Sequence, residues 1–183
     1  NSYLQGHPAM DKVPGVDMTT GSLGQGLSAA NGMALASKMD KMGNRIYCIL
    51  GDGELEEGQI WEAAMTSSKY ALDNLCVIVD TNGLQLTDKV DNIKGLNADS
   101  IEQKFRSFGF NTIVTNGNDI DALLSAFSIA ERTKNMPSVI IAKTHKGKGI
   151  SFMEDNVEWH GKAPNDEEYK KAIEELTEKK EEI

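Results

Sequence analysis

A chain of 183 residues has room for one domain built on a single sizeable core. Its 19 Lys and Arg against 28 Asp and Glu give a formal net charge of −9, so no basic stripe exists to bind nucleic acid, and small molecules or other protein chains are the expected partners. With 39% hydrophobic residues, no long apolar run and no charged-then-apolar leader, neither a membrane span nor an export signal is expected.

Residues 1–20 carry Gly6, Pro8, Pro14 and Gly15 among polar residues, which predicts an irregular approach segment. From Leu23 to Met39 the small apolar positions Leu27, Ala30, Met33, Ala34 and Ala36 predict a helix that packs closely on another element, with the Gly21 to Gly26 stretch at its start. Arg45 to Leu50 is a short apolar run closed by Gly51-Asp52-Gly53, the profile of a buried parallel strand ending in a tight loop. A helix over about 57–70 and a second apolar run, Leu75 to Val79, complete a βαβ unit. Cys48 and Cys76 sit singly in these two runs, without zinc-site spacing, and are expected to be reduced packing residues of a cytoplasmic protein.

Ser100 and Gln103 form the expected capping box of a helix carrying Ile101, Phe105 and Phe108 and stopped by Gly109, with Phe110 to Val114 following as a strand. Ile120, Leu123, Leu124, Phe127 and Ala130 share one helical face, and Ser138 to Ala142 form another strand. Asn165 and Glu168 cap a terminal helix with Tyr169, Ala172, Ile173 and Leu176 on one face. Four strands interleaved with helices predict an α/β fold: an open, mostly parallel sheet flanked by helices, with ligands beyond the strands' carboxyl ends.

Gly24-Gln25-Gly26-Leu27-Ser28-Ala29 fits a dinucleotide fingerprint, but that fingerprint needs a strand before its first glycine and an acid closing the next strand. Here Pro14 to Thr20 precedes it and Asp40 lies at a helix end, so the match is set aside. The stronger signal is Gly51-Asp52-Gly53 after one strand and Asp80-Thr81-Asn82-Gly83-Leu84 after the next, with Asp52 and Asn82 thirty positions apart. Alone, each is an ordinary turn sequence. A βαβ crossover returns the chain in the same direction, however, so both loops emerge at one sheet edge. A carboxylate oxygen, an amide oxygen and a loop carbonyl then converge as a hard, oxygen-only set suited to Mg²⁺ and phosphate oxygens.

This constellation resembles the thiamine diphosphate motif, and the surrounding segments resemble transketolase specifically. Gly6-His7-Pro8 is similar to the family's GHP, Thr20 to Gly26 to its TGSLGQG, Gly51 to Ala63 to its GDGxxxEGxxxEA and Asn116 to Leu123 to its (N/D)GxDxxxL. Lys143 to Gly149 and Trp159 to Lys162 resemble its KTxKGxG and WHGK segments, so six matches run in order across nearly the whole chain. The resemblance implies the thiamine diphosphate-binding fold, with thiamine diphosphate and Mg²⁺ (or Ca²⁺ or Mn²⁺ in its place) as cofactors. It implies that Asp52, Asn82 and the carbonyl of Leu84 hold the metal, while Gly53 and Asn82 touch the diphosphate. Gly21, Ser22 and Leu23 would line the cofactor pocket, Lys146 and His160 would reach cofactor or substrate, and His7 would meet the donor sugar, making His7 and His160 the catalytic candidates.

Without the resemblance, His7 is an ordinary loop histidine, His160 a loop cap, and Lys146 and Lys148 solvent-facing charges in a glycine-rich turn. Glu57 and Glu62 lie roughly 140° apart around their helix and would be solvated acids; the resemblance places both at a subunit interface. His145 stands where the family has an apolar residue and is given no role.

Residues 1–183 are expected to form one diphosphate-binding domain, lacking roughly a hundred residues that the family carries before GHP and its pyrimidine-binding domain. The implied activity is transfer of a two-carbon ketol unit from a ketose phosphate to an aldose phosphate, an activity of the pentose phosphate pathway. The expected partner is a pyrimidine-domain (C-terminal) subunit or the missing part of the same chain, in a dimer or heterotetramer. Acids in the first turn of the last helix and lysines near its end favour a true subunit boundary. The alternatives are a deoxyxylulose-phosphate synthase-like enzyme, against which TGSLGQG, GHP and WHGK count, and a non-catalytic cofactor-binding or assembly module.

Overall fold

The computed structural model describes residues 3–181. Four strands, β1 (Ile46–Gly51), β2 (Leu75–Thr81), β3 (Asn111–Asn116) and β4 (Ser138–Lys143), form one sheet in the order β1-β2-β4-β3. All three pairings are parallel. The helices are α1 (Gln25–Met39), α2 (Gly58–Lys69), α3 (Val90–Lys94), α4 (Ala98–Ser107), α5 (Ile120–Arg132) and α6 (Asp166–Glu181). The fold is therefore the expected α/β arrangement, with every strand ending at the same edge.

Alternate residues of each strand point to opposite faces. Cys48, Leu50, Leu75, Val77, Val79, Val139 and Ile141 face one way and meet Leu27, Ala34, Ile60, Ala63, Ile101 and Phe105 from α1, α2 and α4. Small residues let α1 and α2 approach: buried Asn31 donates to the Ala63 carbonyl at 2.8 Å and accepts from the Ser67 hydroxyl at 2.7 Å. The other face is covered by α5, through Ala126, Ala130 and Phe127 on Cys76, Ile140 and Ile78. Right-handed crossovers require this: the chain steps outward through α2 but returns from β3 to β4 through α5, which puts α5 opposite.

Among the described residues that second face is only partly covered at β1. Ile49 is 74% exposed and Tyr47 55%, although the edge of Tyr47 touches Phe127 at a ring-centroid distance of 5.8 Å. The apolar run of β1 thus belongs to a half-covered edge strand rather than a fully buried one. Apolar content alone does not tell how many faces are covered.

The capping box of α4 also differs from its expected form. The N-cap is Asn97, whose side chain accepts from the Ser100 amide at 3.0 Å while the Ser100 hydroxyl accepts from the Asn97 amide at 2.9 Å. Ser100 is therefore the third helical residue, and Gln103 takes no part. At α6 the expected box forms: Asn165 accepts from the Glu168 amide and Glu168 from the Asn165 amide. The side chains of 179–183, including the lysines near the end of this helix, lie outside the described residues.

Both cysteines are free and buried, and burial pushes their thiols up to about 12 for Cys48 and about 11 for Cys76, which keeps them protonated. Among the described residues no helix is long and apolar enough to cross a membrane.

The two faces predict different sensitivities. Phe105, fully buried between Trp61 and Phe110 at ring distances of 5.2 Å each, should cost about 3–5 kcal/mol when cut to Ala. Ile49→Ala should cost less than about 1 kcal/mol. Urea unfolding of both variants checks the contrast, and equal losses would show that the outer face of β1 is packed.

Candidate functional site

The register of β1 on β2 places Gly51 opposite Asp80, so the loops after both strands start side by side. The Asp52 amide donates to the Asp80 carbonyl at 3.1 Å, carrying the ladder one residue beyond β1. Asp52 is only 2% exposed. Its Oδ1 accepts from the Gly53 amide at 2.9 Å and its Oδ2 from the Gly83 amide at 2.6 Å, so one carboxylate joins the two loops. Asn82 lies in the second loop, its Oδ1 accepting from the Leu84 amide at 3.0 Å and its Nδ2 donating to Asp80 Oδ1 at 3.3 Å. Asp80 also accepts from the Thr144 hydroxyl of the loop after β4. Three strand ends are thereby linked through acids and amides.

Around this junction lies a cleft of about 580 Å³, lined by His7, Gly21, Leu23, Gly51, Asp52, Gly53, Glu54, Glu56, Glu57, Asp80, Asn82, Leu84, Gln85, Leu86, Thr87, Lys146 and His160. The candidates His7, Gly21, Leu23, Asp52, Gly53, Glu57, Asn82, Leu84, Lys146 and His160 thus share one cavity, although they span more than 150 positions of sequence. His7 packs close to Gly21, its ring 3.4 Å from where a Cβ on that glycine would sit. Ser22 is exposed and does not line the cleft; its carbonyl accepts from the Gln25 amide at 3.4 Å as α1 begins. Glu62 is also exposed and outside the cleft, just over one turn along α2 from Glu57.

Lys146 is carried by the loop after β4. Gly147, at φ +74, allows the turn: a Cβ there would come 2.4 Å from the Met153 carbonyl oxygen, so no other residue fits without moving the backbone. Asp155 closes the loop by donating its amide to the Lys146 carbonyl at 2.9 Å. His160 ends a short 3₁₀ turn, Val157–His160, held by the Trp159 indole donating to the Phe152 carbonyl at 3.0 Å. His145, given no role from sequence, lies outside this cleft with its Nδ1 3.6 Å from Asp155.

Electrostatics divide the cleft. Burial holds the Asp52 carboxyl above the usual aspartate range, and the Asp80 charge adds to this; the Gly83 and Gly53 amides oppose it. Five acids, Asp52, Glu54, Glu56, Glu57 and Asp80, line the cleft together with Lys146. The buried Oε1 atoms of Glu56 and Gln85 have no hydrogen-bond donor among the described residues. Buried acceptors without donors, in a cleft rich in acids, suit a cation. Among the described residues no group of three or more His, Cys, Asp or Glu could hold a metal. A mixed set of the Asp52 carboxylate, the Asn82 amide oxygen and the Leu84 carbonyl is the hard-oxygen alternative and leaves positions for water and phosphate. By their chemistry these oxygens would suit Mg²⁺.

The family model for the transketolase thiamine diphosphate-binding domain matches residues 1–182. The chain belongs to this family. It is 40% identical over 182 residues to one of the subunits of the apulose-4-phosphate transketolase of Phocaeicola vulgatus, covering 100% of this chain and 64% of the relative. To the 6-deoxy-6-sulfo-D-fructose transketolase subunit SqwG of a Clostridium species it is 44% identical over 175 residues, covering 96% of this chain and 63% of the relative. The transketolase structure from Campylobacter jejuni superposes with a TM-score of 0.85 at 33% identity, over 96% of this chain and 28% of that one. This transketolase domain therefore spans less than two thirds of the subunits it resembles.

Sequence reasoning gave no role to Glu54, Glu56, Gln85 or Thr144. Glu54 stands inside the glycine motif, and Thr144 inside the KTxKGxG segment, so their positions were visible; their partners, at Gly24 and Asp80, emerge only on folding.

His160 supplies a direct check. Partial desolvation at the cleft lowers its pKa below the ordinary 6.5, and the charge of Lys146 lowers it further, which favours the neutral imidazole at pH 7. A titration followed by NMR should find its midpoint below 6.5, and Lys146→Met should raise that midpoint. An unchanged midpoint in the variant would separate the two residues.

Proposed function

We propose that this chain is the Mg²⁺–thiamine diphosphate-binding part of a split transketolase, transferring a two-carbon ketol unit from a ketose phosphate to an aldose phosphate once joined to a pyrimidine-domain partner. The observation that carries this reading is the junction at the sheet edge: Asp52 bound to both glycine loops, Asn82 beside it and Lys146 across an acidic cleft. Both relatives are named as single subunits of their transketolases, which supports a divided enzyme, completed by a second chain or by further residues of this one. The two relatives are named for different sugars, so the domain common to them suits the diphosphate and the ketol chemistry rather than one substrate.

In this reading Asp52, Asn82 and the Leu84 carbonyl hold the metal, and Gly53 with Asn82 approaches the diphosphate. When bound, thiamine diphosphate supplies the thiazolium carbon that takes up the two-carbon unit. Leu23 and Gly21 form the wall on which the cofactor rests, with Ser22 at its rim. Neutral His160 serves as a hydrogen-bond partner and proton carrier, while Lys146 beside it favours anionic oxygens. His7, exposed at the mouth, meets sugar hydroxyls. Glu57 and Glu62, both exposed on the α2 side, face the partner subunit in a dimer or heterotetramer. Buried thiols suit a reducing compartment, and the cytoplasm is the location this reading gives the chain.

Asp52→Ala should abolish Mg²⁺-dependent uptake of thiamine diphosphate while far-ultraviolet circular dichroism stays native, because the residue sits beyond the strand end. Calorimetry giving wild-type affinity in a folded variant would remove the metal assignment. The chain alone should show no ketol transfer, since the pyrimidine-binding domain is expected in the partner; addition of a pyrimidine-domain subunit should restore it. Turnover by the purified chain in saturating Mg²⁺ and thiamine diphosphate would defeat the divided-site reading.

A further inference from the structure

Two walls of the cleft come from distant parts of the chain. One is the Gly21–Leu23 loop that leads into α1; the other is the Gly51–Gly53 loop that ends β1. We propose that Glu54 is a positioning residue whose carboxylate clamps these walls together and so fixes the width of the cleft. The proposal rests on the cleft being the thiamine diphosphate site.

Glu54 Oε1 accepts from the Gly24 amide at 2.9 Å, and Oε2 accepts from the Gly51 amide at 3.2 Å. One carboxylate thus satisfies a backbone donor at the end of each wall, Gly24 directly after the first and Gly51 in the second. The 3₁₀ turn Gly53–Glu56 aims it there, anchored by buried Leu55, whose carbonyl accepts from the Trp61 indole at 3.0 Å. The other end of the clamp is equally specific. Gly24 caps α1 at φ +83, and a Cβ on it would sit 3.0 Å from Glu57 Cβ, so the loop lies directly on the turn that carries Glu54. The first turn of α1 contains no acidic residue and its N-cap has no side-chain hydrogen bond, so Glu54 brings a negative charge to the positive end of a 15-residue helix from another element.

Two N–H donors facing one group need two acceptors. A carboxylate provides them; the amide of Gln offers one acceptor and one donor, and Asp is a methylene too short to reach both. Charged acceptors also hold amides more tightly than neutral ones. Glu54→Gln, nearly isosteric, therefore loosens the clamp without opening a cavity.

Amide exchange followed by NMR and calorimetric titration with thiamine diphosphate plus Mg²⁺ test this on the full chain. In Glu54→Gln the Gly24 and Gly51 amides should exchange at least about tenfold faster while those of Val77 and Ile141 in the sheet keep their wild-type rates. The affinity for thiamine diphosphate should fall about tenfold. Unchanged exchange at both glycines overturns the clamp. Faster exchange at Val77 and Ile141 in the same ratio overturns it too, by making Glu54 a residue of global stability. Loosened glycines with wild-type cofactor affinity would end the positioning role. If the wild-type chain takes up no thiamine diphosphate, the cofactor reading fails and the positioning role with it, while the exchange rates still decide whether the clamp exists.

Discussion

A single buried carboxylate, Asp52, holds the loops after β1 and β2 in contact, and the geometry of the site follows from it. Its two oxygens accept amides from Gly53 and Gly83, on either side of the crossover through α2. Those hydrogen bonds offset part of the cost of burying the acid, but the group still holds its proton more tightly than an exposed aspartate does. The fold tolerates a partly compensated charge at the strand end, where a divalent cation would complete the compensation.

Parallel pairing is what makes this junction possible. Because β1, β2 and β4 all run the same way, Asp52, Asn82 and Thr144 leave the sheet at one edge, and Asp80 can join the second and third of these loops. The sheet interior is apolar and shared with α1, α2 and α4, which fixes the strand ends to a stiff base. The loops take their shapes from local devices such as the turn at Gly147.

Much of this was legible from sequence because strand runs and glycine loops are local signals. Leu75 to Val79 and the following Asn82-Gly83 announce a buried strand and a polar turn without any tertiary information, although the strand itself runs on through Asp80 and Thr81. The family model spans residues 1–182, so the segments around Asp52 and Lys146 both lie within its match. What was not legible depended on distant partners or on weak local patterns. Helix α3 is five residues long, too short for a periodic pattern, and the Asn97 N-cap is hard to read because a serine, rather than Glu or Gln, completes its box. The partners of Glu54 lie 30 positions upstream and three residues away, and only the fold shows that both face one carboxylate. The exposure of Ile49 is hidden for a related reason: a run of apolar residues does not record that, among the described residues, the helix covering that side stops over β4 and β2.

That uncovered side has a consequence for handling the chain. Among the described residues β1 is the end strand of the sheet, and its outer row of backbone donors and acceptors carries no proline and no lysine from Ile46 to Gly51. Natural sheets usually blunt such an edge, since it is a template on which another strand can grow. An incoming strand would gain ladder hydrogen bonds from the edge and, in the same step, shelter Ile49 and Tyr47 from water. Among the described residues one strand thus carries both features: β1 presents Asp52 at its tip and the end of the sheet along its flank.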